Sequence, residues 1–177
     1  RFERELPRGH YNLFHQLSRE EFRSMVERLD SMAPELSAAE FDLELRKILA
    51  RVGDSHTNLS WQPETLYPFS FYPVREGVIV GGSPEWNIET LGMRLVAIDG
   101  MSIDSVRDRM REIIPHENEA AVTNSFVHFL RSPEFLYHLA IAESAEEATF
   151  TFADYQGGSF SVRAEPRPVE ETGQFIT

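Results

Sequence analysis

The stretch SAAEFDLELRKILARVGDSHT, residues 37–57, contains the change of backbone state around which the chain is organised. Ser37 followed by Glu40 has the spacing of a capping box, in which the serine oxygen takes a first-turn N–H and the glutamate returns to the serine N–H. Phe41, Leu45, Ile48, Leu49 and Val52 then recur at three- or four-residue intervals, and this spacing predicts one apolar stripe on an amphipathic helix. Gly53 ends the stripe as a C-cap, because glycine takes the left-handed turn at little steric cost. The polar cluster Asp54-Ser55-His56-Thr57 therefore falls on a loop just past a helix C-terminus.

Working upstream, Ser18 and Glu21 repeat the capping box, Phe22, Met25, Val26 and Leu29 form a second stripe, and Pro34 stops it. Two such helices must hide their stripes against each other or a third element, for which residues 11–17 are expected to supply a short helix. Downstream, residues 66–80 turn aromatic and β-branched and are broken by Pro68, Pro73 and Gly77, which predicts strands joined by tight turns. Residues 93–98 read as a strand ending in the Asp99-Gly100 turn, and Asp104 or Ser105 as the cap of a helix burying Val106, Met110, Ile113 and Ile114. Helices are expected over 117–130 and from Ser132-Pro133 to Ile141, then a hairpin of 149–155 with 159–164 about Gly157-Gly158. The fold class is α+β: a helical bundle over 1–62, a mixed β/α unit with extra helices and a terminal hairpin over 63–165, and a linker over 166–177.

The formal charge is −12, from 29 acids against 17 bases. Such a field repels a phosphate backbone, so nucleic acid is not an expected partner. No run of 18 apolar residues occurs, so no membrane insertion is expected. With no cysteine, disulfides and thiolate metal sites are excluded. Lys47 is the only lysine, which leaves a Ser-Lys catalytic pair almost without a candidate in this segment.

His56 is the residue best placed for chemistry, since a loop can expose an imidazole and its neutral form accepts a proton near neutral pH. The plainer reading stands beside it: Asp54 caps backbone N–H groups and His56 is an ordinary surface histidine. Ser55 and Thr57 are neighbouring hydroxyls that need a base held against them before either is a nucleophile. His10 and His15 are poorly spaced to share a helical face, His116 reads as part of a helix start, and His128 and His138 accompany apolar positions. Without a His-Glu-x-x-His or paired-cysteine pattern, neither metal nor cofactor is expected. Asp42 and Glu44 read as the solvated face of their helix. Trp61, Tyr67, Phe69, Phe71 and Tyr72 either pack a strand core or line a peptide or apolar-ligand pocket.

Three segments, in order, resemble the S41 family of serine peptidases, which includes the tail-specific (C-terminal-processing) and tricorn-like proteins. Residues 49–57, Leu-Ala-Arg-Val-Gly-Asp-Ser-His-Thr, are similar to a Gly-Asp-x-His-Thr segment that follows the family's N-terminal helices. Residues 92–100, with the helix from Ser102, resemble the Gly-Asp-x-Ile-x-x-Ile-x-Gly part of its PDZ-like module. Residues 114–118 and 131–136 are similar to linker helices that precede the catalytic core in a secreted or surface-type subgroup.

The similarity covers about residues 7 to 165. It implies that His56 is the general base for a serine much later in the polypeptide, with Ser55 helping to organise the site. It further implies an N-terminal fragment of an endopeptidase, inactive alone, that supplies a base and a peptide-positioning surface. The implied partners are a peptide or unfolded protein C-terminus and the catalytic core of the same polypeptide. The resemblance leaves the location open, with secreted or cell-envelope favoured over cytoplasmic. Residues 84–91 depart from the family's PDZ-like pattern and no Gly-Leu-Gly-Phe loop is present, departures that count against capture of a peptide C-terminus and leave a free strand edge as the place where an extended peptide can add. The alternative is a noncatalytic module holding a peptide or hydrophobic ligand with the Trp61 to Tyr72 aromatics.

Overall fold

The computed structural model describes residues 1–172, so residues 173–177 of the expected linker lie outside the described residues. The chain is α+β and divides into two compact units, one of Arg1–Ser60 with Arg111–Val122, the other of Trp61–Met110 with the chain from Thr123.

The first unit holds α1 (Phe2–Gly9), α2 (Arg19–Met32) and α3 (Ala38–Val52). Both capping boxes form: Ser18 Oγ accepts the Glu21 N–H at 3.1 Å and Ser37 Oγ accepts the Glu40 N–H at 3.3 Å, with each glutamate returning to its serine N–H. Gly53 closes α3 at φ 73°, a left-handed conformation that favours glycine, and a Cβ there would stand 2.5 Å from the Gln16 amide, whose flexible side chain would have to shift. The core joins Leu13, Leu17, Phe22, Leu29, Ile48 and Val52, with Phe2 and Leu6 of α1 packed against it.

The third helical element is α1 and not residues 11–17, which form turns although Leu13 and Leu17 are buried. Local side-chain bonds compete with helix there: the Asn12 N–H donates to His10 Nδ1 at 3.0 Å, and His15 Nδ1 bonds the Asn12 carbonyl at 2.9 Å. Pro7 and Gly9 hide α1 in sequence, but Glu3 and Glu5 in its first turn suit the helix dipole, and the Phe2 ring packs 5.8 Å from that of Phe22.

The second unit contains β1 (Thr65–Leu66), β2 (Ser70–Val74), β3 (Gly77–Gly82), β4 (Arg94–Ile98), β5 (Met101–Ser102) and α4 (Ile103–Arg111), whose last residue belongs to the first unit. It continues with the later turns of α5 (Glu119–Phe129), then α6 (Pro133–His138), β6 (Ala148–Ala153), β7 (Ser159–Ala164) and β8 (Arg167–Pro168). The main sheet is antiparallel in the order β2-β3-β4-β6-β7, with β5 on β4. Pro73 lies in β2 because an edge strand tolerates a missing donor.

Asp99 and Gly100, both at positive φ, turn β4 into β5, and the Asp99 carboxylate accepts the Glu143 and Thr149 N–H groups at 3.1 and 2.6 Å. The cap of α4 is Ser102, whose oxygen accepts the Ser105 N–H at 3.3 Å, in place of the expected Asp104 or Ser105. Ser132 caps α6 with Pro133 at its first position, and β6 and β7 pair from Ala148↔Ala164 to Ala153↔Ser159. The stretch expected as a linker begins with a pairing inside the chain, Thr65↔Pro168 and Leu66↔Arg167.

Tyr67, Phe69 and Phe71 are buried with Phe150 and Phe152, and Trp61 packs on Phe129 and Phe135. These aromatics form core, and only Tyr72 is exposed, its ring lying so close over Gly81 that a Cβ there would meet it at 2.2 Å. Phe150 is central, with ring centroids 5.0 Å from Tyr67, 5.1 Å from Phe69 and 6.1 Å from Phe71. Truncating Phe150→Ala leaves a cavity that three rings cannot fill together, and the expected loss is about 3–5 kcal/mol in urea unfolding. Tyr155→Ala, at an exposed turn, is expected to stay within about 0.5 kcal/mol of the parent chain in the same assay.

Candidate functional site

The loop that leaves α3 is organised by one carboxylate. Once Gly53 has reversed the backbone, Asp54 Oδ1 accepts the His56 N–H at 3.0 Å, the side-chain turn that aspartate favours two residues ahead. Asp54 Oδ2 accepts the Thr57 hydroxyl at 2.8 Å, and the Thr57 N–H donates to the Asp54 carbonyl at 3.0 Å. The same carboxylate faces two imidazoles: His56 Nδ1 lies 3.3 Å from Oδ1 and His10 Nε2 lies 3.0 Å from Oδ2. The Thr57 hydroxyl and the His56 N–H hold the Asp54 carboxyl well below the usual carboxylate range, with His10 and His56 adding to the effect against the cost of burial.

His56 itself is open. Its side chain is 91% exposed, and among the described residues its ring has Asp54 as its bonded neighbour. With Nδ1–H aimed at a carboxylate, Nε2 is left as the lone-pair nitrogen facing solvent. That is the arrangement a general base needs: one ring nitrogen oriented, the other free.

Ser55 is held differently. Its N–H and its hydroxyl both donate to Glu117 Oε1, at 2.8 and 2.9 Å, and these two bonds pull the Glu117 carboxyl below its ordinary range. The Ser55 proton is therefore taken by Glu117 and not by His56, and the structure does not pair the two expected site residues through a hydrogen bond. Ser55 instead ties the loop to the segment before α5. On the far side, Arg46, buried in α3, donates to the carbonyls of Leu59 and Ser60 at 3.1 and 3.4 Å while bonding Asp42 at 2.7 Å. Asp42 and Glu44 thus serve local ion pairs with Arg46 and Lys47.

Asp54, His56 and Glu117 each also offer one ligand atom, all within 4.8 Å of one another. One imidazole and two carboxylates make a donor set that divalent first-row metals accept. Each Asp54 oxygen already accepts two hydrogen bonds and Glu117 Oε1 accepts two more, so a cation at this cluster would compete with these donors for the carboxylates.

Two contacts of the loop have no signal in the local sequence. His10 and Glu117 reach the loop across separations of 44 and 62 residues, and no local spacing signals such contacts. No family model, curated protein or solved structure matches the chain.

The depressed Asp54 carboxyl makes the loop's contribution to stability depend on acid. Its folded-state value lies below its unfolded one, so its contribution is fully present above about pH 4 and is lost as pH falls through the lower range. Asp54→Asn cannot titrate. The stability gap between the parent chain and this variant is therefore expected to be largest near neutral pH and to narrow steadily below about pH 4, as followed by urea unfolding at each pH.

Proposed function

We propose that this chain supplies the base-bearing, peptide-positioning part of a serine-type endopeptidase of the S41 kind. The observation that carries the reading is the pair of Asp54 Oδ1 and His56 Nδ1 at 3.3 Å on a ring that is otherwise open to solvent. In this reading Asp54 fixes the tautomer, and His56 Nε2 removes the proton from a serine hydroxyl carried by polypeptide beyond the described residues. The serine attacks the peptide carbonyl, and the protonated imidazole then gives its proton to the leaving amine. Ser55 and Glu117 keep the loop in register and take no part in proton transfer.

The peptide-positioning surface in this reading is the outer edge of β2, where an extended chain can add backbone hydrogen bonds as a PDZ-like module does. The fully buried Tyr67 and Phe69 support core packing and not a ligand pocket, so the noncatalytic aromatic-pocket alternative has no comparable support.

The test separates the fragment from the whole. The 177 residues alone are expected to show no amide hydrolysis, whereas the polypeptide that joins them to a serine-bearing core should turn over peptide. In that polypeptide His56→Ala is expected to lower kcat by about 10²–10⁴-fold with the unfolding midpoint unchanged. Turnover equal to that of the parent would remove His56 from the chemistry.

A further inference from the structure

We propose that His10 is a positioning residue for the Asp54–His56 pair, holding the far oxygen of the carboxylate so that the near oxygen stays on His56 Nδ1. The inference rests on the reading of His56 as base, but the hydrogen-bond geometry that carries it lies entirely within residues 1–57.

The tautomer of His10 follows from its neighbours. Its Nδ1 accepts the Asn12 N–H at 3.0 Å, so in the neutral ring the proton sits on Nε2, which donates to Asp54 Oδ2 at 3.0 Å. The side chain is only 10% exposed, against 91% for His56, so the two imidazoles on one carboxylate occupy opposite environments. The buried ring suits a fixed donor, and the exposed ring suits a group that meets substrate.

The backbone holds His10 in place as well. It is the C-cap of α1, its N–H donates to the Leu6 carbonyl at 2.9 Å, and its extended φ and ψ of −88° and 132° end the helix. Leu6 and Phe2 on that helix pack against the core that also includes Val52, the last residue of α3. The two helices that present His10 and Asp54 therefore share one apolar core, and the carboxylate is gripped between their ends. The His56 N–H on Oδ1 and the Thr57 hydroxyl on Oδ2 already place one donor on each carboxylate oxygen, and His10 adds a second, buried donor on Oδ2 that further opposes rotation about the terminal bond.

Imidazole nitrogen NMR on the 177-residue chain, at a pH where both rings are neutral, provides the test. In the parent chain His10 is expected in the Nε2–H form and His56 mainly in the Nδ1–H form. A His10 found as the Nδ1–H tautomer would overturn the proposal without any variant. His10→Phe fills the space without a donor and is expected to reduce the Nδ1–H share of His56 several-fold. His10→Gln, whose amide nitrogen can stand where Nε2 stands, is expected to retain it. An unchanged His56 tautomer in a folded His10→Phe chain refutes the positioning role, and so does a Gln variant as impaired as Phe, since packing would then be the operative property. In the serine-bearing polypeptide His10→Phe should lower kcat and leave KM in place. The NMR result stands whether or not His56→Ala affects turnover, so failure of the positioning role and failure of the peptidase reading give different data.

Discussion

An aspartate just beyond a helix C-terminus is in an unfavourable field, because the last carbonyls of α3 carry partial negative charge. That repulsion costs about 0.3–1 kcal/mol for a charge within a turn of the helix end. Hydrogen bonds to a charged acceptor contribute about 1.5–3 kcal/mol each, and Asp54 faces four donor groups. The donors win, and the acid remains ionised at a place where the helix alone would disfavour it. The conformation of the loop follows from satisfying that one group.

The left-handed Gly53 permits the arrangement. A side chain at φ 73° would strain the backbone, so the reversal that ends α3 just before Asp54 favours glycine. From there the contacts spread outward in three directions. His10 connects the loop to α1, Glu117 connects it to the segment before α5, and Arg46 holds its far end through two carbonyls. A seven-residue polar loop without regular structure is in this way anchored at both ends and in the middle, which allows an exposed imidazole to sit on a defined backbone.

What could be read from the residues, and what could not, divides by range. The two capping boxes, the Gly53 cap, the Ser132-Pro133 helix start and the β6–β7 hairpin all depend on residues within a few positions of one another, and all appear where the spacing puts them. The loop position of His56 was legible for the same reason. The partners of that loop were not, because His10 and Glu117 arrive through packing that no local pattern encodes. Residues 11–17 show the converse difficulty: Leu13 and Leu17 have helical spacing and are buried, yet His10 and His15 side chains take the backbone groups that a helix would use. At Phe2–Gly9, Pro7 concealed a helix that tertiary packing through Phe2 and Leu6 supports.

The hydroxyls on the loop clarify which direction chemistry can take. Ser55 directs its proton to Glu117 and Thr57 directs its proton to Asp54, so both side chains act as donors to carboxylates that are held in the ionised form. A serine becomes a nucleophile only when its proton points at a base, and redirecting Ser55 to His56 would break the bond that fixes the loop to Glu117. The imidazole has the opposite orientation problem solved already, since its Nδ1 faces Asp54 and its other nitrogen faces outward. In the proposed role as base, His56 has no local hydroxyl to deprotonate and acts on a group brought to it from elsewhere. The same carboxylate that lies against the ring thus also takes the proton of the neighbouring threonine, and leaves the other ring nitrogen open to solvent.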